Sequence, residues 1–274
     1  MRSKNLSASI VLYNTPENEL NNVINCIFSS GKDIKLYLID NSPFDNLSKF
    51  SKLHKNILYV FNKRNIGYGA GHNIAIRKSI KDNFKYHLVL NSDIEFKSNV
   101  LSKLSNFLDE NDDVGHVMPK IIYPNGEIQF LCKLLPTPID LFLRRFLPSS
   151  FAKNSKAIYQ LEFTGYSQIM EVPYLSGCFM FLRLKSLKDV GLFDERYFMY
   201  PEDLDLTRRI NENYKTMFYP KAKVVHNHAK ESYKSFKMLK IHTINMIKYF
   251  NKWGWFYDNK RTKTNKRILK QLNK

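Results

Sequence analysis

An alternation constrains this chain more than any other feature. Over residues 1–125, short apolar runs take turns with stretches of helical period. Residues 6–13 read as a buried strand. Thr15-Pro16 then opens a helix, with a cap residue, a proline at the first helical position and acids Glu17 and Glu19 in the first turn. Its apolar residues Leu20, Val23, Ile24, Ile27 and Phe28 recur at i, i+3, i+4, i+7 and i+8, which is one helix face, and Gly31 ends it. Further strands are expected at 35–39, 57–61 and 86–90, with a helix over 70–81 between the last two. Such alternation implies βαβ units, hence an α/β fold with a mostly parallel central sheet and helices on both faces. In such sheets ligands bind beyond the carboxyl ends of the strands. The residues at those ends are polar and distinctive: Asp40-Asn41-Ser42, the stretch Asn62 to Asn73, and Asn91-Ser92-Asp93.

After residue 113 the pattern changes. A strand over 114–123 is followed by Pro124-Asn125-Gly126-Glu127, a hairpin turn. Residues 134–170, with Pro136, Pro138 and Pro148, show no clear period and are expected to form a loop-rich insertion that shapes an acceptor site. Regular structure returns at 172–184, with a helix over 202–213, a strand ending near Val225 and a last helical stretch at 232–252.

A chain of 274 residues that is 43% hydrophobic and 14% aromatic can bury one generous core, or one core and a small appendage. It has no apolar run long enough to span a membrane, and its N-terminus reads as a first strand rather than a signal peptide. Cys26, Cys132 and Cys178 are scattered without CxxC spacing, which argues against a disulfide framework or zinc knuckle and for a reducing, cytoplasmic setting. The net charge of +18 invites a nucleic-acid reading, but residues 221–274 hold 15 Lys/Arg against only Glu231 and Asp258. The charge belongs to the tail.

Five places carry chemistry. Asp40 can accept a hydrogen bond from the imide N–H of a pyrimidine; an Asp-Asn-Ser turn cap fits the same residues. Gly67, Gly69 and Gly71 crowd a strand-to-helix junction, where backbone approaches a ligand and a helix N-terminus attracts phosphate. Asp93, flanked by Asn91 and Ser92, can hold a divalent cation against a diphosphate, or cap the next helix. The densest cluster runs from Phe193 to Asp205. Glu202 and Asp203 there suit a helix macrodipole, yet a carboxylate among aromatics also gains the basicity of a general base, and Asp203 is the choice for that role. His226 and His228 follow an apolar run, where a neutral imidazole can complete a metal site with Asp93.

Taken in order, these segments resemble the GT-A, family 2 glycosyltransferases, in particular the bacterial rhamnosyltransferase-like branch, from Ser7 to about Arg261. The most specific stretch runs from Leu175-Ser176-Gly177-Cys178 through Gly191-Leu192-Phe193-Asp194-Glu195 to Glu202-Asp203. The resemblance implies a GT-A catalytic domain over 1–231, its nucleotide-binding part ending near 125, and a basic helical segment over 232–274. It implies a nucleotide-sugar site made by Tyr13, Asp40, Asn65, Gly67, Gly69, Asn73, Asn91, Ser92 and Asp93. It gives Asp93 the last position of a DxD-like metal motif whose first position is here Asn91, so one carboxylate is left for Mg²⁺ or Mn²⁺. Asp203, beside Glu202, matches the catalytic base of an inverting transferase, and His226 matches a histidine that joins the metal, with His228 close enough to leave that choice open. A dTDP- or UDP-sugar donor, rhamnose first, and a saccharide or lipid-linked saccharide acceptor follow from the same likeness.

The tail mixes apolar residues from Phe236 to Phe250, and Trp253 to Tyr257, with lysines. Such a segment can lie on an anionic membrane, here the inner face of the cytoplasmic membrane, or pack on the catalytic domain with its lysines in water. The rival readings are a nucleic-acid-binding protein and a nucleotidyltransferase. The first lacks a nucleic-acid motif; the second lacks a glycine- and arginine-rich loop after the first strand.

Overall fold

A computed structural model describes residues 4–139, 149–227 and 236–274. The chain begins β1 (Lys4–Leu12), α1 (Glu17–Phe28), β2 (Ile34–Asp40), β3 (Ile57–Phe61), α2 (Tyr68–Lys81), β4 (Phe84–Leu90). It continues β5 (Ile94–Phe96), α3 (Val100–Glu110), β6 (Val114–Ile122), β7 (Cys132–Lys133), α4 (Ser149–Tyr159), β8 (Met170–Glu171), β9 (Tyr174–Leu175), β10 (Phe179–Arg183). It ends α5 (Leu184–Val190), α6 (Glu202–Asn213), β11 (Lys215–His226), α7 (Phe236–Trp253), α8 (Asn259–Gln271).

The main sheet runs β3-β2-β1-β4-β10-β6-β11-β5, with β8 also on β11. Its β3, β2, β1 and β4 are parallel. Antiparallel β10 sits between β4 and β6, and β11 is again parallel to β6. The carboxyl ends of β1, β2, β4, β6 and β11 therefore point one way, and β10 begins at that same end, with Phe179 opposite Leu90. Strand alternation sorts the two faces. Leu6, Ala8, Ile10 and Leu12 of β1 face the larger core, which also takes α1 and α3. Ile76 of α2, Leu187 of α5 and Ile210 of α6 pack with Met180 and Leu182 of β10 on the other side.

Ser7 and Ser9 point from β1 into that second layer and would be costly there without partners. They find them in buried histidines: Ser9 Oγ lies 2.8 Å from His87 Nε2 and 2.7 Å from His72 Nδ1, and Ser7 Oγ 2.8 Å from His87 Nδ1. Burial lowers the pKa of His87 to about 3 and holds His72 well below its usual value, so this network is neutral.

The elements differ from the sequence expectation in four places. Pro16, not Thr15, is the cap residue of α1, because the Thr15 hydroxyl accepts the Tyr13 N–H at 3.2 Å instead. The expected loop-rich insertion contains α4 and a 3-10 helix at Glu162–Thr164; residues 140–148 of it lie outside the described residues. The last helical stretch is described from Phe236 onward, residues 228–235 lie outside the described residues with His228 among them, and a further helix, α8, follows. Helix α3 begins at Val100, so Asp93 precedes strand β5 rather than capping a helix.

Candidate active site

The site sits where the strands end. From β4 the chain turns through Asn91-Ser92-Asp93 into β5, which runs back along β11 with Ile94 opposite His226. That register brings the Asp93 carboxylate to the last residue of β11: Asp93 Oδ1 is 3.2 Å from His226 Nε2, and the Asp93 carbonyl accepts the Asn227 N–H at 2.9 Å. The imidazole is buried. Burial pulls its pKa down, but Cys178 and Asp93 beside it outweigh that and lift it to about 10. A site that holds a proton between a carboxylate and an imidazole can exchange that proton for a cation. Among the described residues no group of three or more His, Cys, Asp or Glu side chains is placed to hold a metal ion. A cation here would take Asp93 and His226 as its protein ligands and complete its shell with phosphate oxygens and water, which suits Mg²⁺ or Mn²⁺.

The second pair, Glu202 and Asp203, opens α6. Asp203 Oδ2 accepts the Gly177 N–H at 2.8 Å, its Oδ1 accepts the Leu204 N–H at 2.7 Å, and the Tyr174 hydroxyl stands 3.5 Å from Oδ2. A Cβ on residue 177 would lie 3.0 Å from the Asp203 Cβ, so this close approach favours glycine. Burial raises the pKa of Asp203, and the two N–H bonds and the Lys133 charge reverse that only in part. Glu202 is more deeply buried, its Oε2 has no protein hydrogen-bond partner, and burial followed by the Asp203 charge push its pKa well up. Two adjacent carboxyls in one apolar site divide their labour. Glu202, with one oxygen unpartnered, is pushed further toward its neutral form; Asp203 accepts two backbone N–H groups, which favour its carboxylate.

One short segment joins the pairs. Gly177 gives its N–H to Asp203 and its carbonyl to the Tyr68 hydroxyl at 2.8 Å. That hydroxyl also lies 3.0 Å from Asn91 Oδ1, and the Cys178 carbonyl accepts the Asn91 N–H at 3.0 Å. Tyr68, Tyr174 and Cys178 are thus part of the site, as is Gln129, whose side-chain amide contacts the His226 carbonyl and ring, and none was singled out from sequence. Tyr68 sat within the glycine-rich stretch, and Cys178 within the Leu175-to-Asp203 motif. Gln129 carried no signal.

The other residues expected at the nucleotide divide into two groups. Tyr13 is 54% exposed at the carboxyl end of β1, where an aromatic face is open to a base. Ser92 is half-buried beside Asp93. Asp40, by contrast, is fully buried, and its oxygens accept the Ser42 N–H at 2.8 Å and the Tyr59 hydroxyl at 2.6 Å. An imide N–H reaching Asp40 would have to share or displace the Tyr59 bond. Asn65 Oδ1 accepts the Gly67 N–H at 3.0 Å. Gly67 has a φ of +93°, and a Cβ there would collide with the Phe198 carbonyl. Gly69 lies against Phe193, and Asn73 bonds the Phe193 backbone and Glu195. The glycine-rich stretch therefore serves as a joint to residues 193–198, the segment leading to the Glu202-Asp203 pair. A cleft of about 940 Å³ at the amino ends of the strands, lined in part by Asn5, Lys35, Lys78 and Lys81, contains none of these residues.

The tail also reaches the site. Asn245 donates to the Met199 carbonyl at 2.8 Å, and Lys252 pairs with Asp194 at 2.9 Å and Asp205 at 2.6 Å. Arg208 of α6 is buried against Asp258 at 2.8 Å, with its guanidinium 3.9 Å from the Trp253 ring centroid. Part of the basic charge is thus consumed inside the fold.

With this geometry in hand, the family model described as Glycosyl transferase family 2 matches residues 7–191. The chain belongs to that family. The match covers Asp93 and Gly177 and stops before Glu202. The chain is 25% identical over 212 residues to an N-acetylglucosaminyl-diphospho-decaprenol L-rhamnosyltransferase of Mycobacterium tuberculosis, covering 72% of this chain and 68% of the relative. The fold is shared with GalNAc-T7, solved with UDP, GalNAc and Mn²⁺, at a TM-score of 0.59 and 17% identity over 81% of this chain; the chain spans 43% of that protein. It is shared as well with a mannosyltransferase of Pyrobaculum calidifontis, solved with GDP-Man and Mn²⁺, at a TM-score of 0.57 and 12% identity over 90% of this chain and 65% of that one. The fold is that of the GT-A glycosyltransferases, and the chain is a glycosyltransferase.

Proposed function

We propose that this chain is an inverting, divalent-metal-dependent transferase that moves a sugar from a nucleoside diphosphate to a saccharide acceptor. Its first candidate donor is dTDP-rhamnose, its alternative a UDP-hexose, and its product a bacterial surface polysaccharide or lipopolysaccharide. The observation that carries the reading is the Gly177–Cys178 bridge, which couples an Asp93–His226 pair suited to a cation to an Asp203 carboxylate suited to take a proton.

A bound divalent cation would offset the charge gathering on the departing diphosphate. Tyr13 stands where it can cover the base, and Asp93 and His226 would hold the cation to which the diphosphate binds. Asp203 accepts the proton of an acceptor hydroxyl as that oxygen bonds to the anomeric carbon and the carbon–phosphate oxygen bond breaks on the opposite face. One displacement inverts the centre. The Gly177 N–H holds the carboxylate in line, and burial favours the neutral form of Glu202 beside it.

A lipid-linked acceptor is supported by the name of the mycobacterial relative. No helix among the described residues is long and apolar enough to cross a membrane. Ile244, Ile247, Phe256 and Tyr257 are exposed large hydrophobics on or just after α7, a pattern that suits peripheral contact of the 232–274 segment with an anionic inner leaflet. The 1–231 part would then be the catalytic domain of a cytoplasmic enzyme. A thermal-shift panel of dTDP-, UDP- and GDP-sugars with Mn²⁺, followed by proton NMR of the product's anomeric centre, tests the reading. Metal-dependent stabilisation by one nucleotide-sugar and an inverted anomer are expected. A retained anomer would overturn the single displacement, and metal-independent stabilisation the role of the cation.

A further inference from the structure

We infer that Gln129 is a positioning residue that presents His226 to the metal through Nε2. The inference rests on the reading of His226 as a metal ligand and adds the group that sets its orientation. Gln129 lies three residues beyond Gly126 on the return from the turn, is 4% exposed, and is anchored by its backbone, its N–H donating to the Ile121 carbonyl at 3.0 Å and its carbonyl accepting the Leu131 N–H at 2.9 Å. Its amide clasps His226 twice. The Nε2 group donates to the His226 carbonyl at 2.9 Å, and Oε1 lies 2.9 Å from His226 Nδ1.

The first bond decides the second. A backbone carbonyl only accepts, so the amide end facing it is the NH₂, and the end facing the ring is the oxygen. An oxygen facing Nδ1 requires the hydrogen to be on Nδ1. The ring is thereby held with Nε2 toward Asp93, 3.2 Å away, and when a cation replaces the proton between them it is Nε2 that has the lone pair. A glutamine does what a carboxylate or carbonyl does behind many metal-bound histidines, and being neutral it adds no charge to a buried site.

The test measures the Mn²⁺-dependent part of nucleotide affinity by calorimetry, with UDP and dTDP as probes, in the full chain. Gln129→Met keeps the volume and removes both bonds. It is expected to weaken the Mn²⁺-dependent part about 10–100-fold, in the range that loss of such outer partners produces, while nucleotide binding without metal is unchanged. His226→Ala separates the two levels of the argument. If it leaves the Mn²⁺ dependence intact, His226 is not a ligand and both readings fall. If it abolishes the dependence while Gln129→Met behaves as wild type, only the role of Gln129 falls. Should Gln129→Met not fold, the wild-type protein supplies the answer through ¹H–¹⁵N imidazole spectra with nucleotide and Mg²⁺. A protonated Nδ1 with a bare Nε2 on His226 is expected, and the opposite tautomer overturns the inference.

Discussion

The proposed metal side and the proposed base side of this site each rest on an aspartate, in opposite electrostatic surroundings. On the metal side Asp93 faces His226, and the pair is held by strand register, His226 opposite Ile94 at the carboxyl ends of the sheet. Attraction between unlike charges does the work, and a cation can take over from the proton. On the base side Asp203 adjoins Glu202 in one buried helix turn, where burial raises both pKa values and the Asp203 charge raises that of Glu202 further. The arrangement there persists because Gly177, α7 and α8 brace it from outside. A carboxylate's role in this fold is set by what stands next to it.

Three changes would break or sharpen that contrast. Asp203→Asn keeps the shape and removes the base; turnover should fall about 10²–10⁴-fold while Mn²⁺-dependent nucleotide affinity stays near wild type, measured by product formation and calorimetry. Loss of nucleotide affinity in that variant would show that the two sides are not separate. Next, Asp258→Ala leaves Arg208 buried without its anion and should cost about 3–5 kcal/mol in urea unfolding. If stability is unchanged, the tail does not brace the base side.

The smallest effect is expected from Glu202→Gln, read as a pH shift. A carboxyl with a raised folded-state pKa binds more protons folded than unfolded, so its contribution to stability is present below the unfolded pKa and lost as pH rises through the folded one. Glu202→Gln should therefore raise the melting temperature at pH 8 relative to pH 5. Burial rather than the Glu202 charge raises the Asp203 pKa, so the acid limb of kcat/KM, where the base becomes protonated, should stay where it is. An acid limb that moves to lower pH would mean that a charged Glu202 tunes the base.

Much of this was legible in the chain. The residues at β4's end and the Glu202-Asp203 pair stood out because carboxylates and small polar groups interrupt apolar runs, and an interruption of period is a local signal. The helix Ser149–Tyr159 gave no such signal, since it follows a stretch broken by Pro136, Pro138 and Pro148 and runs for only 11 residues. Asn73 and Gly69 looked like ligand-lining residues because a glycine-rich turn before a helix serves that purpose in many sheets; here Phe193 and Glu195 occupy the partners they offer. Asp40 shows the same competition, its oxygens taken by Ser42 and Tyr59.

By itself the sequence determined the α/β alternation, the polar strand ends, the order of acidic motifs and the confinement of the basic charge to the tail, because each depends on neighbours a few residues apart. Only the tertiary structure decided which of those groups meet. The reversal of β10 brings Gly177 and Cys178 beside Asn91, β11 carries His226 to Asp93, and the return from a hairpin sets Gln129 against His226 from 97 residues away. Those contacts depend on strand order and register, which arise from burial of whole faces of the sheet and leave no mark on any one stretch of chain.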